Sequence, residues 1–175
     1  YVYPGATLSL IRKDQGLLQG PVLQKGSSNN DGSFLMKVNH VVRLTGQTYI
    51  LVFADKDGQV SQTRAYNIPA GQETFGDENT IIAPSVGFSG DSVITKGRTL
   101  IIQGYATPKA TVKIFVDGNE IGSILVNNAT GQYRYGLPTD ELNAGRHSIQ
   151  ARQAIDGMQS DGSSQQSFTV SELAN

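Results

Sequence analysis

Residues 111–118 read Thr111-Val112-Lys113-Ile114-Phe115-Val116-Asp117-Gly118, and this stretch decides the fold. Val112, Ile114 and Val116 sit at alternate positions among other β-favouring side chains, and the run stops at Asp-Gly. A strand entering a tight hairpin has this pattern, because Asp-Gly tolerates the positive φ angles that the turn requires. A second strand is predicted from Glu120 to Val126. Beyond it, Asn128-Ala129-Thr130-Gly131 is turn chemistry. Gln132-Tyr133-Arg134-Tyr135 and His147-Ser148-Ile149-Gln150-Ala151 then alternate polar with apolar residues. Residues 138–145 form a corner with Leu142 pointing inward, and residues 167–170 supply a closing strand. Only residues 139–143 are compatible with a helical turn, since no stretch repeats at 3.6 residues.

The first half of the chain repeats this grammar. Gly46-Gln47-Thr48-Tyr49-Ile50 corresponds to Gly145-Arg146-His147-Ser148-Ile149, an offset of 145 − 46 = 99. The same offset relates Asp31-Gly32-Ser33-Phe34 to Thr130-Gly131-Gln132-Tyr133, and Asp57-Gly58 to Asp156-Gly157. Small indels shift the register at the ends. Tyr1-Val2-Tyr3-Pro4 lines up with Tyr105-Ala106-Thr107-Pro108, and Tyr66-Asn67-Ile68 with Phe168-Thr169-Val170. Two modules are therefore expected, at residues 1–80 and 81–175, with a polar linker over 70–79 after Pro69. Many short strands separated by Gly, Asp and Asn turns make each module a β-sandwich.

Composition narrows the function classes. The chain has 175 residues, 20 Gly, no Cys and no Trp, with 17% charged residues and a net charge of −1. Without Cys there are no disulfides, thiolate metal sites or cysteine nucleophiles. Lys and Arg are scattered, which argues against nucleic acid as a partner, because phosphate binding needs a basic face. No apolar run approaches the ~20 residues of a transmembrane helix. The opening Tyr1-Val2-Tyr3-Pro4, without Met or a signal peptide, reads as a processed form or a piece of something longer.

The quoted elements resemble the bacterial immunoglobulin-like domains repeated in large surface proteins and adhesins. Gly104-Tyr105-Ala106-Thr107-Pro108-Lys109-Ala110-Thr111-Val112 carries that family's opening pattern, and Val116-Asp117-Gly118 its hairpin. Gly131-Gln132-Tyr133 and Leu142-Asn143-Ala144-Gly145-Arg146-His147 follow in the expected order. Asp156-Gly157-Met158-Gln159-Ser160 is one residue tighter than the family's closing element, whereas Asp57-Gly58-Gln59-Val60-Ser61 in the first half, preceded by Asp55-Lys56, fits it well. The resemblance implies an all-β pair of tandem immunoglobulin-like sandwiches, located outside the cell and serving as spacer, stalk or adhesive tip. It also exposes an asymmetry. Residues 84–103 should supply two strands ahead of Gly104, but nothing precedes Tyr1 to supply their counterparts in the first module. Either those strands belong to preceding chain or a neighbouring copy donates one, as open sheet edges allow.

Catalysis finds little support. His40 and His147 occupy non-equivalent repeat positions and have no triad or metal-ligand spacing around them. Ser89-Gly90-Asp91-Ser92 lacks the final Gly of a nucleophile elbow and reads as a turn. The candidate metal ligands are Asp55 and Asp57, two carboxylates at alternate positions before Gly58, with Ca²⁺ as the cation. The same residues more readily suit a hairpin turn in which an Asp accepts local N–H groups. Glu73, Asp77 and Glu78 in the linker offer another acidic cluster. Asn128-Ala129-Thr130 is a glycosylation sequon. The reading is a non-enzymatic extracellular structural or adhesive protein, partnered by neighbouring copies or modules, with strand exchange into a filament as one form. The alternative is an accessory carbohydrate-binding pair of a surface enzyme, with glycan as ligand.

Overall fold

The structure is a computed structural model that describes residues 1–12, 22–36, 47–68 and 80–172. All regular structure among these residues is β, and no helix is long and apolar enough to cross a membrane. In the first half, β1 (Thr7–Arg12), β2 (Val22–Ser27), β3 (Gln47–Ala54) and β4 (Val60–Ile68) form one antiparallel sheet in the order β2-β1-β3-β4.

The second half builds two sheets. β5 (Gly87–Phe88), β7 (Thr99–Tyr105) and β10 (Gln132–Pro138) make one, in the order β10-β7-β5. β6 (Val93–Thr95), β8 (Thr111–Val116), β9 (Asn119–Leu125), β11 (Gly145–Ile155) and β13 (Gln166–Ser171) make the other. Its order is β6-β13-β11-β8-β9, with β12 (Met158–Gln159) paired to β11. β6 runs parallel to β13, whereas β5 is antiparallel to β7. The first strand of the module is thus divided between the two sheets. Residues 84–103 yield three strands where the sequence suggested two, because the chain bends at residues 89–92, with Gly90 at φ 106°, and changes sheet. Two sheets with this order and this split make an immunoglobulin-like sandwich.

The alternation read from the sequence is the alternation of burial. Val112, Ile114 and Val116 of β8 face Ile102, Leu100, Tyr133 and Leu137 across the sandwich in one apolar cluster, closed by Ile149, Ala151, Phe168 and Val170. Each such side chain contributes ~1.5–3 kcal/mol by leaving water, which is why the polar partners along each strand face outward.

The order β2-β1-β3-β4 repeats β9-β8-β11-β13, so the first module presents the corresponding sheet of a second, similar sandwich. Among the described residues, 1–68 form this one sheet. Atomic detail confirms the equivalence. The Val2 amide donates to Gly32 at 3.0 Å, and the Ala106 amide donates to Gly131 at 2.8 Å. Gly32 and Gly131 have φ +79° and +74°, and a Cβ on either would come within 2.3 Å or 2.2 Å of the Val2 or Ala106 carbonyl oxygen. Only glycine fits there, which accounts for one anchor of the repeat. The first module's own cluster contains Val2, Tyr3, Leu8, Leu10, Tyr49, Leu51 and Phe53, and also takes in Ile82 and Tyr105.

Candidate functional site

The chemistry-bearing residues converge where the two modules meet. On the first module this seam is made by the turn after Tyr1 and by the β3–β4 hairpin. On the second it is made by residues 80–87, the end of β7 and the segment after β12. A small cavity lies in it, lined by Asp55, Asp57, Gln59, Gly87, Phe88, Gln103, Gly104, Tyr105 and Gln132.

Both sequence-predicted ligands, Asp55 and Asp57, line this cavity. Asp55 is buried and its Oδ1 accepts the amides of Asp57 and Gln59, each at 2.9 Å. The backbone closes the same turn, with the Gly58 amide donating to the Asp55 carbonyl and the Asp55 amide donating to that of Gln59, both at 3.0 Å. Gly58, at φ +82°, ends a three-residue loop. The equivalent turn in the second module is shorter: Ile155 pairs with Met158 across Asp156 and Gly157, both at positive φ. The extra residue in the first hairpin appears as a register shift at Phe53/Ala54, opposite Ser61. Among the described residues, no group of three or more His, Cys, Asp or Glu is gathered as for a metal ion.

Lys56 lies over the Tyr105 ring, 4.9 Å from its centroid, and hydrogen bonding to Tyr105 raises its pKa, with Asp57 and Asp55 adding to the effect. Burial strongly raises the hydroxyl pKa of both Tyr3 and Tyr133, so both stay neutral donors. Tyr3 Oη donates to Ser61 Oγ at 2.8 Å, and Tyr133 Oη to the Ser85 carbonyl at 2.6 Å.

Two glutamines organise the seam. Gln153 is fully buried; its Oε1 accepts the Thr107 amide at 2.7 Å and its Nε2 donates to the Ile82 carbonyl. Gln62 is 7% exposed; its Oε1 accepts the Ala83 amide at 2.8 Å and its Nε2 donates to Asp161 Oδ2 at 3.3 Å. Neither glutamine stood out in the sequence. The signal for Gln153 was there: Ile149, Ala151 and Gln153 share one face of β11, so a polar residue occupies an inward position.

His147 lies elsewhere. Its ring stacks on Phe168 at 5.3 Å; Nδ1 is 2.6 Å from Asp117 Oδ2 and Nε2 is 2.8 Å from the Asn143 carbonyl. Both ring nitrogens thus face acceptors, as an imidazolium requires. The Asn143 carbonyl and Asp117 raise the His147 pKa. Burial pushes Asp117 up, but hydrogen bonds from His147 and Ser148 outweigh it and hold the carboxylate below its usual range. Asn128 is exposed on its turn and donates to the Gln132 carbonyl at 2.7 Å. His40, Glu73, Asp77, Glu78 and the expected linker lie outside the described residues.

No family model and no curated protein matches the chain. Solved structures that resemble it include the BSP domain of a biofilm associated protein, with TM-score 0.41 and 18% identity, covering 96% of this chain and 25% of that one. The chicken interferon gamma receptor alpha chain gives TM-score 0.39 and 10% identity, covering 96% of this chain and 85% of that one. The human OSCAR ligand-binding domain gives TM-score 0.39 and 12% identity, covering 95% and 84%. The chain therefore spans a quarter of the length of the first of these. All three superpose loosely, and the immunoglobulin-like assignment rests on strand order and pairing.

Proposed function

We propose that the chain is a non-enzymatic structural or adhesive segment of an extracellular, cell-surface protein, with modules at residues 1–80 and 81–175. Its partners are neighbouring copies or modules, and one mode of assembly is strand exchange into a filament. The observation that supports this is the first module's sheet. Its face of Leu8, Leu10, Leu51 and Phe53 is buried against Val2, Tyr3 and Tyr105, and among the described residues its outer strands β2 and β4 each have one sheet neighbour. An extended segment from a neighbour would add to such an edge, since an outer strand takes up another through backbone hydrogen bonds. Negative-stain imaging of the purified chain tests this: ordered fibres support exchange, and a uniformly monomeric particle with a fully protected first module removes it.

The seam cavity favours a second reading, an accessory carbohydrate-binding pair. The amides of Gln59, Gln103 and Gln132, the carboxylates of Asp55 and Asp57, and the Tyr105 ring are groups that can engage sugar hydroxyls and apolar sugar faces. A glycan screen separates the two readings. Calcium on Asp55 and Asp57 remains a proposal for the same cavity, supported by their carboxylates both lining it.

A further inference from the structure

Two tandem modules joined end to end ordinarily behave as separate bodies on a hinge, because interfaces between domains are small and polar. This seam is built differently. It joins the same end of each module. The turn at residues 1–6 and the turn at residues 105–110 are repeat equivalents, and both lie in it. Gln62 and Asp161, separated by the repeat offset of 99, hydrogen-bond to each other. β4 ends at Ile68, paired with Gln47, at the end of the first sheet opposite the seam; Thr80 lies at the seam beside Tyr1.

The segment after Thr80 serves both modules in turn. The Tyr1 nitrogen donates to the Thr80 carbonyl and the Ile82 amide to the Tyr1 carbonyl, the pair of bonds that makes a parallel bridge. Three residues later the Ser85 amide donates to Tyr105 at 2.9 Å, and β5 then pairs with β7. Ile82 is buried in the first module's cluster, while its carbonyl is held by Gln153 of the second. The Ser164 amide donates to Ser61 at 2.7 Å across the seam, and the Tyr3 and Tyr105 rings meet at 6.4 Å.

We propose that the two modules form one rigid body that unfolds as a single cooperative unit, locked by the shared segment at residues 80–85 and by Gln62 and Gln153. Opening a hinge here would uncover Ile82 and Tyr105 and leave the Gln62, Ala83 and Ser61 backbone and side-chain partners unpaired in one step. Buried groups stripped of partners in this way oppose partial opening. The inference rests on the two-module reading but not on any ligand or filament.

The test uses the whole chain. Backbone ¹⁵N relaxation should give one rotational diffusion tensor for β3 and β11, and hydrogen exchange should show both strands opening at the same denaturant concentration. Gln62→Leu should separate them: the β3 amides should exchange at least about tenfold faster than those of β11, with a larger radius of gyration by solution scattering. Gln62→Glu provides a second variant in case the first fails to fold; it places a carboxylate against Asp161 and should loosen the seam more at neutral pH than at pH 4. Independent tumbling of the two modules in the parent chain, or parent-like joint exchange in both variants, overturns the lock. Absence of fibres in the imaging experiment would remove the proposed assembly and leave the lock standing.

Discussion

Gly104→Ala offers a strict test of how the first strand is held. A Cβ at Gly104 would lie 2.1 Å from the Ser85 oxygen, 2.8 Å from its carbonyl carbon and 3.0 Å from Tyr133 Cε1. To reach even the shortest contact that real Cβ atoms show, Ser85 must retreat by 3.0 − 2.1 = 0.9 Å. Three hydrogen bonds converge on Ser85: its amide to Tyr105 at 2.9 Å, the Tyr105 amide to its Oγ at 2.9 Å, and Tyr133 Oη to its carbonyl at 2.6 Å. A shift of that size lengthens the first two to about 3.8 Å and the third to about 3.5 Å, so all three pass beyond hydrogen-bonding range. At ~1 kcal/mol each, the three bonds together are worth about 3 kcal/mol, and the lower unfolded-state entropy of Ala returns about 0.5–1 kcal/mol. The net loss of about 2–2.5 kcal/mol corresponds to a melting temperature lower by roughly 4–10 °C for a chain of this size. Gly58→Ala is the control. Its φ of +82° is strained for Ala, but nothing lies within 4 Å of the added carbon, so it should cost only ~1–2 kcal/mol. Calorimetric melts of both variants decide. If Gly104→Ala melts within about 2 °C of the parent, or no lower than Gly58→Ala, the packing argument fails.

His147 should make stability fall with rising pH. Its folded pKa is raised, so its contribution is complete below the unfolded value of about 6.5 and is lost as pH climbs through the folded value. With the His147 side chain 11% exposed and Asp117 48% exposed, the effect is discounted to ~1 kcal/mol. His147→Phe keeps the stack on Phe168 and should flatten the difference in melting temperature between pH 6 and pH 9; an unchanged slope would refute a stabilising His147–Asp117 pair. Asp55→Ala should cost about 1–2 kcal/mol in calcium-free buffer, because two amides lose their acceptor. A loss seen only when calcium is present would favour the metal reading instead. Tyr3→Phe should cost ~1 kcal/mol through the lost bond to Ser61, measurable by urea unfolding; no change in the midpoint would show that Ser61 finds another donor.

The strands of the second module were legible because each carries its own period. β8 and β9 fall within a residue of the stretches read from alternation and from Asp117-Gly118. The repeat extended that reading to the first module through positions where backbone geometry admits only glycine, such as Gly32 and Gly131. The division of the first strand between sheets was not legible. A bend at residues 89–92 looks the same in sequence whether the strand that follows returns to its own sheet or crosses to β13. The hairpins of the two halves also differ in a way that the matched Asp-Gly pairs conceal. Strand register equates Phe53, opposite Leu8, with Gln153, opposite Val112, and bonding to the strand equates Ser61 with Ser160, so the extra residue sits between them.

The exchange of Phe53 for Gln153 is the most informative difference between the halves. A repeat that is simply copied would keep an apolar side chain there, since an inward amide costs free energy unless both its ends are bonded. Here both are: the oxygen takes the Thr107 amide of its own module, and the nitrogen reaches Ile82, whose side chain lies in the other module's cluster. An apolar residue could fill the space but would orphan an amide and a carbonyl at the point where the connecting segment passes between modules. A buried polar residue at a position where its repeat partner is aromatic is therefore a mark of the seam.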